Sequence, residues 1–441
     1  MKIIFTLALM LTSFVTLAND VLSMKARSEL LDNILQERFE HVLPAVMQRE
    51  NIDMWVIMSR EYNEDPVLKT MLPSTWLSAR RHTMLVIYDP GNGAPLERLA
   101  VARYAVADLF EKAWDKEAEP DQWKALASII TERDPKRIAV NISTSFALGD
   151  GMSATEQAYF LGALPQKYKE RVVSGERLAI GWLETRSDLE MKHYPAIAKM
   201  GHELIATAFS NDVIVPGVTT TDDVVWWLRD KSNELGVSNW FHPTVSIQRA
   251  DNEVFDQIKA FSKRPGENII QPGDLIHVDF GITYLRLNTD QQQHAYILKP
   301  GETEAPAGLV TALANANRLQ DILTDNFKTG RSGNEILAMS RKQAIDEGIK
   351  PAIYTHPLGL HGHAAGPTIG MWDAQEGVPI KGDYPMYPNT AYSIELNAAS
   401  FIPEWNKEVR IMLEEDAFFD GKRVTYLDSR QKTFHLISSE Q

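Results

Sequence analysis

Residues Gly273–Pro300, GDLIHVDFGITYLRLNTDQQQHAYILKP, decide how the rest of this chain is read. After a Pro-Gly-Asp turn, Leu275, His277 and Asp279 alternate with Ile276, Val278 and Phe280, the period-two pattern of a strand that carries an acid on one face. A second strand is predicted around Ala295–Leu298, behind Asp290. The spacing of 11 from Asp279 to Asp290 lets an antiparallel hairpin lay the two carboxylates side by side. Adjacent buried carboxylates cannot both ionise without a counter-charge, so the pair asks for a shared proton or for metal. Either aspartate alone would read as a turn cap.

Working outward, 441 residues with 44 % hydrophobic and 24 % charged content describe a globular chain too long for one ordinary core, so two domains are expected. The N-terminus MKIIFTLALMLTSFVTLAND has one lysine, an apolar run and a small-residue exit at Ala18, which reads as a secretory signal peptide over 1–18. That run is short for a membrane span. The predicted localisation is periplasmic or extracellular, with no span in the mature chain. Net charge is −14, or −15 once Lys2 is removed, which disfavours nucleic acid and anionic membrane as partners. With no cysteine, an exported chain has neither disulfides nor thiol chemistry.

Residues 19–183 alternate helical and strand patterns: a helix near Arg27–Glu50, then strands in MWVIMS, HTMLVIYD and RIAVNIS. They read as a small α/β domain without a nucleotide-binding loop, a GxSxG or an HExxH. Ser187-Asp-Leu-Glu190 is a capping box that opens a long helix, so the second domain is placed at 184–441. It contains an internal repeat. Pro216 onward gives a cap at Thr220, a helix, a stop at Gly236, a strand and His242-Pro243; Thr329 onward repeats that order through to His356-Pro357. Two related halves would build a site where they meet.

More acids arrive on later strands. In NTAYSIELNA, Glu395 shares a face with Ala391 and Ser393; in KEVRIMLEEDAFF, Glu414 shares one with Arg410 and Met412, and Glu415 falls on the other. Between them lies HPLGLHGHAAGPTIG, a glycine-rich run with His356, His361 and His363. Four carboxylates balance two divalent ions. An oxygen-rich set with one imidazole suits Mn2+, with Zn2+, Co2+ or Fe2+ as alternatives.

Asp, Asp eleven later, His, Glu and Glu in this order resemble the metal-ligand series of the creatinase/aminopeptidase P family, the pita-bread metallopeptidases that include Xaa-Pro aminopeptidase and prolidase. The resemblance covers nearly the whole mature chain. It implies a creatinase-like α/β N-terminal domain, a pita-bread α/β catalytic domain with a pseudo-twofold repeat, and, loosely, a homodimer. It also implies the ligands Asp279, Asp290, His363, Glu395 and Glu414. His361 is the alternative to His363, and Glu415 the alternative to Glu414. The implied reaction is hydrolysis of a peptide or small-molecule amide by a hydroxide shared between two ions, with Glu395 relaying the proton and Arg410 beside the site.

Departures from the family pattern are specific. No histidine occurs in 255–276, the position seven after His363 is Gly370, and DQQQH stands where DITRT would follow the second aspartate. His242 or His356 is therefore expected to supply the missing oxyanion contact. The leading expectation is an exported Xaa-Pro aminopeptidase or dipeptidase; the others are a non-peptidase hydrolase or lyase on the same fold, and a peptide-binding pseudoenzyme.

Overall fold

The computed structural model describes residues 21–251 and 268–440; the expected signal peptide, 1–18, lies outside them. Six strands form the first sheet: β1 (Met54–Arg60), β2 (His82–Tyr88), β3 (Glu97–Val101), β4 (Glu111–Lys112), β5 (Ile138–Val140) and β6 (Val172–Ser174), in the order β4-β3-β2-β1-β5-β6. Alternation along β1 and β2 fills two cores. Trp55, Ile57, Leu85 and Ile87 pack with the helices at Leu43–Glu50 and Glu176–Glu184, while Met54, Val56, Met84 and Val86 meet the helix Gln122–Arg133 on the other face.

The expected N-terminal helix is present but interrupted. Helices Met24–Glu37 and Leu43–Glu50 are joined by a π-helical turn, Arg38–Val42. That turn delivers Arg38 to the junction with the second half of the chain. There its buried guanidinium donates to Glu190 Oε2 at 2.8 Å and to the Thr185 carbonyl at 2.7 Å, and lies over the Trp182 ring at 4.4 Å. The helix Asp188–Ala208 starts with the predicted capping box of Ser187 and Glu190.

From there the chain builds β7 (Thr244–Gln248), β8 (Leu275–Phe280), β9 (Thr283–Tyr284), β10 (Leu287–Asn288) and β11 (Gln291–Ile297). Next come β12 (Lys350–Ile353), β13 (His356–Leu358), β14 (Thr390–Ser393), β15 (Leu396–Ile402), β16 (Lys407–Leu413), β17 (Asp416–Phe419), β18 (Val424–Tyr426) and β19 (His435–Ile437). Their sheets run β19-β11-β8-β7, β12-β15-β16 and β13-β14-β17-β18, with β9 and β10 as a small hairpin. Helices Asp188–Ala208 and Thr221–Leu235 cover the first of these sheets. Ala307–Asp325 and Gly333–Asp346 take the corresponding places beside the second. This is the mixed α/β arrangement expected from the duplicated pattern, and it agrees with the pita-bread fold that the resemblance implies.

Two sequence expectations need correction. Among the described residues no strand leads into His242; an isolated bridge at Ser238 pairs there with Thr283. Nor does Glu395 lie inside one continuous strand. Three neighbouring strands leave one sheet and enter the next after two residues each, at Tyr354-Thr355, Ile394-Glu395 and Glu414-Glu415. The main chain at these breaks stays satisfied: Ile394 N–H donates to Glu415 O at 2.9 Å, and Tyr354 N–H to Glu395 O at 3.1 Å. A seam then ties the halves together. Gln248 Nε2 donates to Arg410 O at 2.8 Å, Met412 N–H donates to His294 Nε2 at 3.0 Å, and Gln292 N–H donates to Glu414 O at 2.9 Å.

Candidate metal centre

Asp279 and Asp290 meet because β8 and β11 pair antiparallel with Gln292 opposite Asp279, leaving Asp290 just beyond the paired end. The intervening chain folds back through β9 and β10, whose turn residues Leu285 and Arg286 both adopt positive φ, 52° and 62°. Asp290 is fixed in place by its own N–H, which donates to Asp416 Oδ1 at 2.9 Å. The other acids come from the sheet-switching breaks. Glu395 and Glu414 occupy two of them, and His356 immediately follows the third.

Three sets of side chains each bring a ligand atom within 4.8 Å of one another: Asp279, Asp290 and Glu414; His356, Glu395 and Glu414; and Asp290, His356 and His363. His356 Nδ1 lies 2.9 Å from the Pro357 carbonyl, which can only accept, so Nδ1 carries the proton. Its Nε2 faces Asp290 Oδ2 at 3.5 Å and Glu414 Oε1 at 3.6 Å. Among the described residues, Nε2 of His356 and Oδ1 of Asp279 are buried without a hydrogen-bond partner. Buried ligand atoms converging on one point without partners fit a divalent cation with oxygen and nitrogen donors.

The electrostatics agree. Burial, then the Glu414 charge, pushes the carboxyls of Asp279, Asp290 and Glu395 well above the ordinary range. Glu414 goes the other way. Its burial is outweighed by His356, Ser393 and Gln292, which hold it below the ordinary range. Gln292 Nε2 donates to Glu395 Oε1 at 2.8 Å and to Glu414 Oε2 at 2.5 Å, and the Ser393 hydroxyl donates to Glu414 Oε1. Without cations the site thus disfavours charge on three of its four carboxylates.

Of the remaining candidates, His363 belongs to one of the ligand sets and the others lie outside all three. His363 is exposed, its ring 4.8 Å from that of His356 and 5.1 Å from Trp240. His361 is pushed down to about 4 by burial and the charges of Arg186 and Lys69. Contrary to the expectation that the repeat carries it to the cleft, His242 is exposed. Its Nδ1 is 3.0 Å from the Arg229 guanidinium and its ring packs on Trp226. Arg410 binds Asn397 Oδ1 at 3.1 Å, four residues down the strand from Glu414, about 13 Å at 3.3 Å per residue. Glu415 points away from the ligand sets, accepting from His202 Nε2 at 2.6 Å and from Gln431 N–H at 2.9 Å.

Sequence reasoning missed Gln292, His277, Ser393 and His202. Strand parity held the signal for the first two, since Gln292 shares a face with His294, and His277 with Asp279. Nothing in the sequence pointed to His202 as the partner of Glu415.

A family profile described as metallopeptidase family M24 matches residues 191–417, just over half of the chain. No curated protein is matched. Among solved structures, the X-Pro aminopeptidase from Thermotoga maritima superposes with a TM-score of 0.62 at 16 % identity, covering 89 % of this chain and 99 % of that one. The Xaa-Pro dipeptidase from Bacillus anthracis gives 0.57 at 17 %, covering 94 % and 100 %. Dipeptidase PepE from Mycobacterium ulcerans gives 0.58 at 16 %, covering 95 % and 99 %. At such identities the structures speak for the fold; together with the profile across the ligand-bearing strands, they place this chain in metallopeptidase family M24, a family of metal-dependent hydrolases.

Proposed function

We propose that this protein is an exported Xaa-Pro aminopeptidase or dipeptidase using two divalent ions, with Mn2+ the metal that suits the donor set best. The observation that carries the reading is the convergence of Asp279, Asp290, His356, Glu395 and Glu414 in overlapping ligand sets. One ion would lie among Asp279, Asp290 and Glu414, the other among His356, Glu395 and Glu414, so Glu414 serves both. Bound ions would supply Lewis-acid polarisation of a scissile carbonyl and a nucleophile at neutral pH.

His356 replaces His363 in the proposed ligand set because its unpartnered Nε2 faces two ligand carboxylates, whereas His363 is exposed. This also removes one departure from the family pattern. The second histidine expected seven residues after the ligand is then His363 itself, at a rim shared with Trp240, where it can hydrogen-bond a substrate carbonyl. Glu395 and Asp279 are half-buried while Asp290 and Glu414 are buried, and of these two the proton transfer is assigned to Glu395, as the family resemblance implies. Export rests on the composition of residues 1–18; among the described residues no helix is long and apolar enough to cross a membrane.

The test is elemental analysis of purified protein followed by turnover of a dipeptide panel, with and without proline second, after loading with Mn2+ or Zn2+. About two ions per chain and hydrolysis of at least one panel member are expected. Protein that stays metal-free after Mn2+ addition overturns the reading.

A further inference from the structure

We propose that Gln292, clamped by His277, is a positioning residue that holds Glu395 and Glu414 at the spacing that receives metal ions. This deepens the metal-centre reading and rests on it. The side chain of Gln292 is buried, and all of its hydrogen bonds go to three named groups. Its amide nitrogen donates to Glu395 Oε1 at 2.8 Å and Glu414 Oε2 at 2.5 Å, and its Oε1 accepts from His277 Nε2 at 2.8 Å.

Only one orientation of the carboxamide suits these partners. As metal ligands both carboxylates would be ionised, able to accept and not to donate, so the nitrogen must face them. The carbonyl oxygen can then only accept, which requires the proton of His277 on Nε2 and leaves Nδ1 toward Ser246 Oγ, 3.5 Å away. A flipped amide would set its oxygen against two carboxylates and lose both of those bonds. The acids thus set which end of Gln292 meets them, and His277, donating from Nε2, holds the other end in place.

The placement reaches across the molecule. Ser246, His277 and Gln292 belong to β7, β8 and β11, whereas Glu395 and Glu414 come from the breaks in the other half. Main-chain bonds reinforce the side-chain link: Gln292 N–H donates to Glu414 O at 2.9 Å, and Glu414 N–H returns to Gln292 O at 3.3 Å. An amide group suits this task because one nitrogen offers two protons, one for each carboxylate. Being neutral, it orders the two acids without competing with a cation for their charge, as a lysine there would. Each carboxylate oxygen keeps a further lone pair for a metal. The DQQQH departure from the family pattern thus acquires a role: its second glutamine orders the two glutamates.

The experiment uses the full mature chain, stripped with chelator and titrated calorimetrically with Mn2+ and with Co2+, together with the visible absorption of the Co2+-loaded protein. Gln292→Met keeps side-chain length and removes the donors. It is expected to raise Kd for at least one ion about 10–100-fold, the usual effect of losing a partner that orients a ligand, and to shift the Co2+ bands. His277→Leu is expected to weaken binding in the wild-type background and to add nothing to Gln292→Met, since both act through one amide. Circular dichroism of the metal-free proteins checks folding. If Gln292→Met does not fold, His277→Leu alone carries the test through its Kd and Co2+ spectrum. An unchanged Kd and spectrum in the folded Gln292→Met protein overturn the positioning role, as does a His277→Leu effect equally large in both backgrounds. A wild-type chain that takes up neither ion sinks the metal-centre reading itself, whereas normal uptake with an indifferent Gln292→Met sinks only this inference.

Discussion

The pair of adjacent glutamates at 414 and 415 predicts an alkaline loss of stability that can be assigned to one histidine. His202 is almost wholly buried, with Nε2 2.6 Å from Glu415 Oε2 and Nδ1 2.8 Å from Asp428 Oδ2. Burial alone would lower its pKa. The hydrogen bond and charge of Glu415, with help from Asp428, outweigh that and raise it to about 9. A basic group whose folded pKa exceeds its unfolded value binds more protons in the native state, so stability falls as pH rises between the two. The contribution is complete below about 6.5 and gone above about 9. At roughly 1.4 kcal/mol per pH unit it amounts to about 3 kcal/mol.

His202→Gln alone is a poor control, because it leaves Glu415 buried without its counter-charge, a loss of about 3–5 kcal/mol with a pH dependence of its own. The double variant His202→Gln/Glu415→Gln removes both charges. The assay is guanidinium unfolding of wild type and double variant between pH 6 and 10, in excess chelator so that metal binding does not add its own pH dependence. Wild type should lose about 3 kcal/mol more than the double variant between pH 6.5 and 9.5. Parallel curves across that window would refute the assignment of a charged, buried imidazole.

Three further outcomes follow from the same geometry. Glu414→Gln should lose both ions, whereas Glu415→Gln should keep them and lose about 3 kcal/mol of stability, read by elemental analysis and denaturant midpoint. His356→Ala should lose metal; His363→Ala should keep it and lower kcat about a hundredfold on the best dipeptide found, as for a donor that acts mainly in the transition state. Gly281→Ala should cost about 1–3 kcal/mol and disturb the His363 rim, because its Cβ would strike the Thr289 carbonyl and the rings of Trp240 and Phe241.

What the sequence made legible follows from where its period was regular. The alternation in LIHVDF and in KEVRIML places Asp279 and sets Glu414 and Glu415 on opposite faces, because β8 runs through Asp279 and β16 runs unbroken to Leu413, next to Glu414. The histidines were not separable in the same way. HPLGLHGH contains a strand of only three residues, beginning at His356, so alternation assigns no face there and the resemblance alone points to His363. The His-Pro pairs aligned in the repeat, but the chain before His242 lacks the strand that β12 provides before His356, so similar sequence led to different places. Gln292 was read only as a departure from a pattern, because a buried glutamine has no periodic signature; its role depends on partners more than a hundred residues away.

The positions of Glu395 and Glu414 carry a further argument about why the site lies where it does. A carboxylate in the middle of a paired strand would be buried among apolar neighbours, with solvation lost and only one partner on each side. At a break between sheets, the main chain turns, neighbouring strands diverge, and side chains from several strands can point into one space. Here three such breaks are aligned, and the hairpin bearing Asp279 and Asp290 closes over them through the Gln292–Glu414 pairing. The fold therefore concentrates its charge burden at one seam instead of distributing it through two hydrophobic cores. The consequence can be measured: removing the ions should raise the hydrogen exchange of amides flanking 354–356, 394–396 and 413–416, which lie at the seam, more than that of the β1 and β2 amides in the first sheet. Uniform protection across both sheets with and without metal would show that the ions do not stabilise the breaks.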